Sequence, residues 1–169
     1  MRKIIKNAIQ CKLCGDVIES TYRHDYVECR CKSCAVDGGH DYLRCSFKDK
    51  DCYIDLSETM PMTEYKIERL KTLLNPTTTL DVTFYDVLED IDALKSDYYD
   101  YMTTEPIKAD EELKRLPSAD YDLCCALLTM LLREDHFCEG MFGRRFEAGQ
   151  VTPIIDRMIE LLKNEDIKE

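Results

Sequence analysis

From residue 61 onward the apolar positions fall into helical spacing; before it they do not. Ile67, Leu70, Leu73 and Leu74 share one helical face, and Pro76 marks the end of that helix. Phe84, Val87, Leu88, Ile91 and Leu94 repeat the i, i+3, i+4 pattern across a predicted helix at 83–99. Its other faces carry Asp86, Glu89, Asp90, Asp92 and Asp97. A short helix is expected at 110–116. Ser118 then reads as the cap of a strongly apolar helix over 120–134, with acids in its first turn where the helix dipole favours them. Between Leu123 and Leu132 apolar residues nearly surround this helix, so it is expected to be the buried centre. A short helix at 139–148 precedes Gly149. Thr152-Pro153, a cap followed by proline at the first helical position, opens a last helix to about residue 163.

Residues 1–57 lack this period. Their β-prone pieces lie at 3–8, 17–19, 26–29 and 42–47, with a turn at Gly38-Gly39. None is long enough to build a core, and a domain so small needs a staple.

Cysteine supplies one. Of ten cysteines, seven fall between residues 11 and 52, and Cys124, Cys125 and Cys138 fall late. The apolar fraction of 44 % supports a packed core, but no run approaches the roughly 18 apolar residues that span a membrane. The stretch after Met1 lacks the apolar core of a secretory leader. A cytoplasmic protein is the expectation, and cytosolic thiols stay reduced, so metal binding is expected rather than a disulfide framework. Cys11-Lys12-Leu13-Cys14-Gly15 is a zinc-ribbon knuckle: two thiolates reach one tetrahedral ion while the glycine lets the backbone turn its N–H groups toward the sulfurs. The facing pair lies in Cys29-Arg30-Cys31-Lys32-Ser33-Cys34. A CxxC spacing uses Cys31 and Cys34; a CxC spacing uses Cys29 and Cys31. Four thiolates close the shell, so one structural zinc ion is expected, without an open position for catalysis. Its binding energy, on the order of 10 kcal/mol in small zinc modules, becomes folding energy. The fold class expected is therefore α+β: a small zinc ribbon with short antiparallel strands at 1–57, followed by an acidic helical bundle at 58–169.

The other candidate groups have plainer readings. His24-Asp25 and His40-Asp41 lack a nearby nucleophile and read as turn caps that orient the thiolates. Cys45 and Cys52 lack ligand spacing. Cys124 and Cys125, inside the most apolar helix, read as small hydrophobes. Arg133, Arg144 and Arg145 are expected to pair with Glu134, Asp135 and Glu139. No phosphate loop, nucleophile elbow, paired-carboxylate motif or deaminase pattern occurs, so a non-enzymatic protein is expected.

Charge shifts attention to the middle of the chain. Of the net −11, residues 81–122 supply −9, with four basic and thirteen acidic side chains. Asp86, Glu89, Asp90, Asp92, Asp97, Tyr98, Asp100 and Tyr101 form an acidic, tyrosine-rich candidate surface for a basic protein partner. Lys12, Arg23, Arg30, Lys32 and Arg44 could touch nucleic acid, but the ribbon is nearly neutral, and tight duplex binding is not expected.

At 11–44 the run CxxCG, HD, CxC, VDGG and DYLR resembles a zinc-ribbon family of bacteria and their phages. That resemblance implies the CxC ligand set Cys11, Cys14, Cys29 and Cys31, with Cys34 a competing thiol beside the ion. Cys45 stands where an arginine would be expected. At 123–162 the segment Arg133-Glu134-Asp135-His136-Phe137-Cys138-Glu139-Gly140 resembles a helical family marked by R-x-D-x-F-x-x-G. A small acidic zinc protein of this kind also resembles phage-encoded inhibitors of host defence, including zinc-containing type II-A anti-CRISPR proteins. This implies binding to the type II RNA-guided nuclease, in the cytoplasm of a bacterial host, and a block on its DNA loading. The alternative is a zinc-ribbon adaptor or transcription-associated module.

Overall fold

The computed structural model describes residues 1–76 and 80–166. Among them, eight short strands precede six α-helices, an α+β fold. The chain divides into two compact units, Met1–Tyr65 and Lys66–Glu169.

The first unit contains β1 (Arg2–Lys6), β2 (Ala8–Cys11), β3 (Val17–Glu19), β4 (Val27–Glu28), β5 (Cys34–Asp37), β6 (Arg44–Phe47), β7 (Tyr53–Asp55) and β8 (Glu58–Pro61). They form three small antiparallel sheets, ordered β1-β8, β3-β2-β7 and β4-β5-β6. The strand expected at 3–8 is thus divided between two sheets at Asn7. The reason is a tertiary one. Asn7 is fully buried, and its Nδ2 donates to the carbonyls of Asp37 (3.0 Å), Gly39 (3.0 Å) and Tyr42 (3.1 Å). These hydrogen bonds hold the Gly38-Gly39 turn. Both glycines have positive φ, and a β-carbon on Gly38 would stand 2.0 Å from the Tyr42 carbonyl oxygen. Asp41 and Tyr42 both donate their N–H groups to Gly38 O, so β6 begins at Arg44 rather than Tyr42.

The second unit is helical. It takes in all but the opening of α1 (Met62–Thr72), then α2 (Leu80–Asp90), α3 (Ala109–Glu112), α4 (Tyr121–Glu134), α5 (Met141–Glu147) and α6 (Thr152–Asp166). Short 3₁₀ turns cover Tyr98–Tyr101 and Leu113–Ser118. Residues 124–132 of α4 are all buried, and α4 packs on α6, whose Ile154, Ile155 and Met158 are buried as well. Phe84 of α2 meets Phe142 of α5 edge to face at 4.9 Å.

Several helix bounds differ from the sequence expectation: the helix expected at 110–116 is α3 followed by a 3₁₀ turn, α6 runs on to Asp166, and two ends have a clear physical cause. The helix expected over 83–99 stops at Asp90. Ala93 N–H donates to Leu88 O (2.7 Å) and Asp92 N–H to Glu89 O (3.1 Å), with Asp92 left-handed at φ +55°. That is a Schellman closure, and aspartate tolerates the left-handed position better than most residues. At α4 the cap is Asp120, whose Oδ1 accepts Leu123 N–H at 2.8 Å; Ser118 instead donates to Arg115 O.

Glu112 is the charged residue at the heart of this unit. Its side chain is fully buried. Oε1 accepts from Thr103 N–H (2.8 Å), Thr104 N–H (2.7 Å) and the Thr104 hydroxyl (2.7 Å), and Oε2 pairs with Arg115 (2.7 Å). Burial alone would raise its pKa, but the bonds from Thr104 and Arg115 outweigh that and hold it at about 2. The carboxylate therefore organises the connection from the Tyr98–Tyr101 turn to α3. Glu112→Ala is expected to cost on the order of 2 kcal/mol in urea unfolding, because several part-buried donors, the Arg115 guanidinium among them, lose their acceptor. The depressed pKa adds a pH signature. Its stabilisation is fully present above the unfolded carboxylate pKa of about 4.3 and disappears as pH falls toward 2. In Glu112→Gln that acid-dependent loss should shrink.

Candidate metal centre and acidic surface

β2 carries Cys11 into a tight turn. Cys11 N–H donates to Asp16 O and Gly15 N–H donates to Cys11 O, both at 2.8 Å, which folds the chain around Cys14. Gly15 sits at φ +73°, a position that penalises any side chain. A second turn faces it. Cys29 N–H donates to Cys34 O (3.1 Å), and Lys32, left-handed at φ +55°, donates its N–H to Cys29 O (2.9 Å). The sulfurs of Cys11, Cys14, Cys29 and Cys31 consequently lie within 4.8 Å of one another. Cys31 Sγ is 3.6 Å from both Cys11 Sγ and Cys29 Sγ. Four sulfurs so placed can hold a metal ion in a closed shell.

Cys34 is not one of the four. It belongs to β5, pairs in the ladder with Phe47, and is buried against Ile9, Ile18, Val36 and Cys52. Burial, reinforced by the neighbouring Cys29 and Cys11 sulfurs, pushes its thiol upward and keeps it protonated. Cys29 behaves oppositely. Burial opposes its ionisation, but hydrogen bonds from the backbone of Cys34 and Ser33 and from the Cys31 and Cys11 thiols bring it down to about 6.

The two turns are tied by residues that no metal-spacing motif flags. Asp16 Oδ2 accepts Arg30 N–H at 3.0 Å, and the Arg30 guanidinium reaches Cys14 O at 3.3 Å. The guanidinium is largely exposed, so its ion pair with Asp16 adds little; the backbone bond fixes the turns. The signal was an aspartate just after the first knuckle and an arginine inside the second.

Rather than capping their own turns as expected, His24 and His40 tie distant segments of the first unit together. His24 Nδ1 bonds the Tyr42 hydroxyl (3.0 Å), His40 Nδ1 bonds Ile4 O (3.0 Å), and Asp25 Oδ2 accepts Thr21 N–H (2.8 Å). Neither histidine belongs to the sulfur cluster. Cys45 and Cys52 pack in the apolar cluster of the first unit. Burial pushes the Cys124 and Cys125 thiols up to about 12, as expected of small hydrophobes.

The acidic candidates occupy several elements rather than one helix. Asp86, Glu89 and Asp90 lie on α2, Asp92 in its cap, Asp97 just before the 3₁₀ turn, and Tyr98, Asp100 and Tyr101 within it. Asp86, Glu89, Asp92, Asp97 and Asp100 are exposed, and among the described residues none of these five makes an ion pair. Asp90 pairs with Arg69 at 2.7 Å. Tyr98 and Tyr101 are half-buried, and the Lys95 ammonium lies 5.7 Å from the Tyr101 ring centre. The three arginines divide as well. Arg145 binds Glu134 (Nη2–Oε1 2.8 Å), Asp110 (3.0 Å) and Gln150 (2.8 Å). Arg133 lies over the Tyr85 ring and Arg144 reaches Glu139 O. Asp135, expected to pair with an arginine, instead accepts Phe142 N–H at the start of α5.

Residues 76–164 match a family of unknown function (DUF6508), and residues 3–47 match a domain of unknown function (DUF7695). No curated protein and no solved structure matches the chain.

Two serine substitutions separate the ligand sets. Cys31→Ser should lower the metal content of the native protein from about one ion per chain to well below half, since a three-thiolate site is open. Cys34→Ser should leave the content unchanged. Elemental analysis of the two purified variants reads this directly, and the reverse order would restore the CxxC pairing.

Proposed function

The chain belongs to the family of unknown function (DUF6508), and we propose from its own residues that it is a non-enzymatic binding protein with a structural zinc ion. The ion stiffens the first unit, and the acidic second unit docks on a basic protein surface. Zinc is supported by donor set and spacing. Four sulfurs at 2.3 Å from a tetrahedral zinc stand about 3.8 Å apart, close to the 3.6 Å separations from Cys31. A closed all-thiolate shell suits a structural role and leaves no position for a reacting water.

The observation that carries the binding reading is the exposed set Asp86, Glu89, Asp92, Asp97 and Asp100, without an ion pair among the described residues, within a segment of charge −9. Carboxylates that serve the fold are engaged internally, as Glu112 and Asp90 are. These five are not, and their field steers a cationic partner. The reading without catalysis is supported by His24 and His40, whose Nδ1 atoms are engaged by the Tyr42 hydroxyl and by Ile4 O and so tie segments 18 and 36 residues apart. A protein partner is favoured over nucleic acid because the chain carries −11 overall and the ribbon, where the basic side chains lie, is nearly neutral.

The specific partner proposed is the type II RNA-guided nuclease, whose heteroduplex channel is positively charged. The protein would bind there and block DNA loading. The test titrates it against guide-loaded nuclease and measures target-DNA binding. DNA loading should fall as the protein saturates. Asp86→Asn, Glu89→Gln and Asp92→Asn combined should weaken the complex by about tenfold or more at low salt, with less effect at high salt. Unchanged DNA loading at saturation would remove the nuclease, and a low-salt gel shift with bare DNA would favour the adaptor reading instead.

A further inference from the structure

Phe137 is out of place by the rules that govern the rest of the second unit. Its residue surface is 89 % exposed, although a ring of that size gains about 2 kcal/mol or more from burial. It is not on a loose loop. Phe137 N–H and Cys138 N–H both donate to Glu134 O, His136 N–H donates to Arg133 O, and Met141 N–H returns to Cys138 O. An ordered turn therefore holds the ring in water.

Beside it lies a cavity of about 170 Å³ lined by Tyr98, Ile107, Ala109, Met130, Glu134 and Phe137. A second hollow of about 360 Å³ shares Ile107 and is lined also by Tyr99, Met102, Thr103, Thr104 and Glu105. Ile107 and Tyr99 are themselves 40 % and 58 % exposed. Ile107 thus joins two hollows into a groove with an apolar end at Met130, Ala109 and Phe137 and a more polar end at Thr103, Thr104 and Glu105, where single exposed residues would need no explanation.

The surroundings of the groove are acidic. Asp97 and Asp100 flank Tyr98, and Glu105 lies in the segment that carries Ile107; all three are exposed. Lys108 is the opposing charge in that segment, and Arg145 is already neutralised by Glu134 and Asp110. A second copy of this chain, with its own net −11, would bring like charge against this rim.

We propose that this groove docks a peptide segment of a protein partner in which one apolar side chain is flanked by lysines or arginines. The inference rests on the reading that the second unit engages a basic protein, and it adds the place and the mode. The apolar side chain fills the cavity beside Phe137 and removes Phe137 and Ile107 from water. The flanking cations meet the carboxylates of the rim. An apolar anchor in a pocket with a charged surround is the arrangement in which a few residues carry most of the affinity.

The test uses the full chain and three fluorescent peptides: leucine between two lysine pairs, serine between two lysine pairs, and leucine between two glutamate pairs. Binding is read by anisotropy, and its place by the methyl NMR signals of Met130 and Ile107. The leucine–lysine peptide should bind and shift both methyl signals, about tenfold more tightly than the serine peptide, and the glutamate peptide should not bind. Phe137→Ala, at an exposed position, should weaken the leucine–lysine peptide by about tenfold and leave the serine peptide unchanged. Equal binding of the leucine and serine peptides, unaffected by Phe137→Ala, would overturn the groove while leaving the acidic-surface reading intact. Failure of both lysine peptides to bind would overturn both. Phe137-dependent self-association of the chain would replace the peptide with a second copy.

Discussion

Four sulfurs crowded within 4.8 Å of one another set the terms for the first unit. Its strands are two to five residues long and are spread over three sheets, too little for a self-sufficient core. Even its apolar cluster is partly cysteine, with Cys11, Cys29, Cys34 and Cys52 beside Ile9, Ile18 and Val36. Ionised thiolates at this spacing would repel one another, and a divalent cation held between them would turn that repulsion into a crosslink joining turns fifteen or more residues apart in the chain. The Asp16–Arg30 backbone bond and the Asn7-held glycine turn work on either side of that crosslink. They fix geometry that the ion alone would leave open.

The second unit depends on a different economy. A helix buried along nine consecutive residues gives it a core, so its charges are left over for other work. Some are used inside: Glu112 gathers the Thr103–Thr104 segment, and Arg145 joins α5 to Glu134 and Asp110. Others, Asp97, Asp100 and Glu105 among them, are exposed on the segments that carry Tyr98 and Ile107 beside the groove with its exposed aromatic ring. Structural and outward-facing acids therefore sit side by side, and hydrogen-bond partners rather than position in the chain tell them apart.

What could be read from the sequence follows how local the determining interaction is. Cys11-Lys12-Leu13-Cys14-Gly15 announces its own turn, because spacing and a positive-φ glycine are local facts. The buried run of α4 is equally plain, since apolar residues on every face leave no solvent side. The choice among Cys29, Cys31 and Cys34 was not readable from spacing. It turns on β5 pairing Cys34 with Phe47 and drawing its side chain into the core. The early end of α2 depends on Asp92 accepting a left-handed conformation, which the apolar period running through Ile91 and Leu94 conceals. The break at Asn7 needs partners thirty or more residues away, and the exposed Phe137 carries no periodic signal at all.

The central claim is a single ion with an all-sulfur shell, and X-ray absorption at the zinc edge on the untreated protein tests it most directly. The account predicts one shell of four sulfurs at about 2.3 Å and no nitrogen or oxygen scatterers. A shell containing histidine nitrogen or water oxygen, or a protein with no zinc edge, would contradict it.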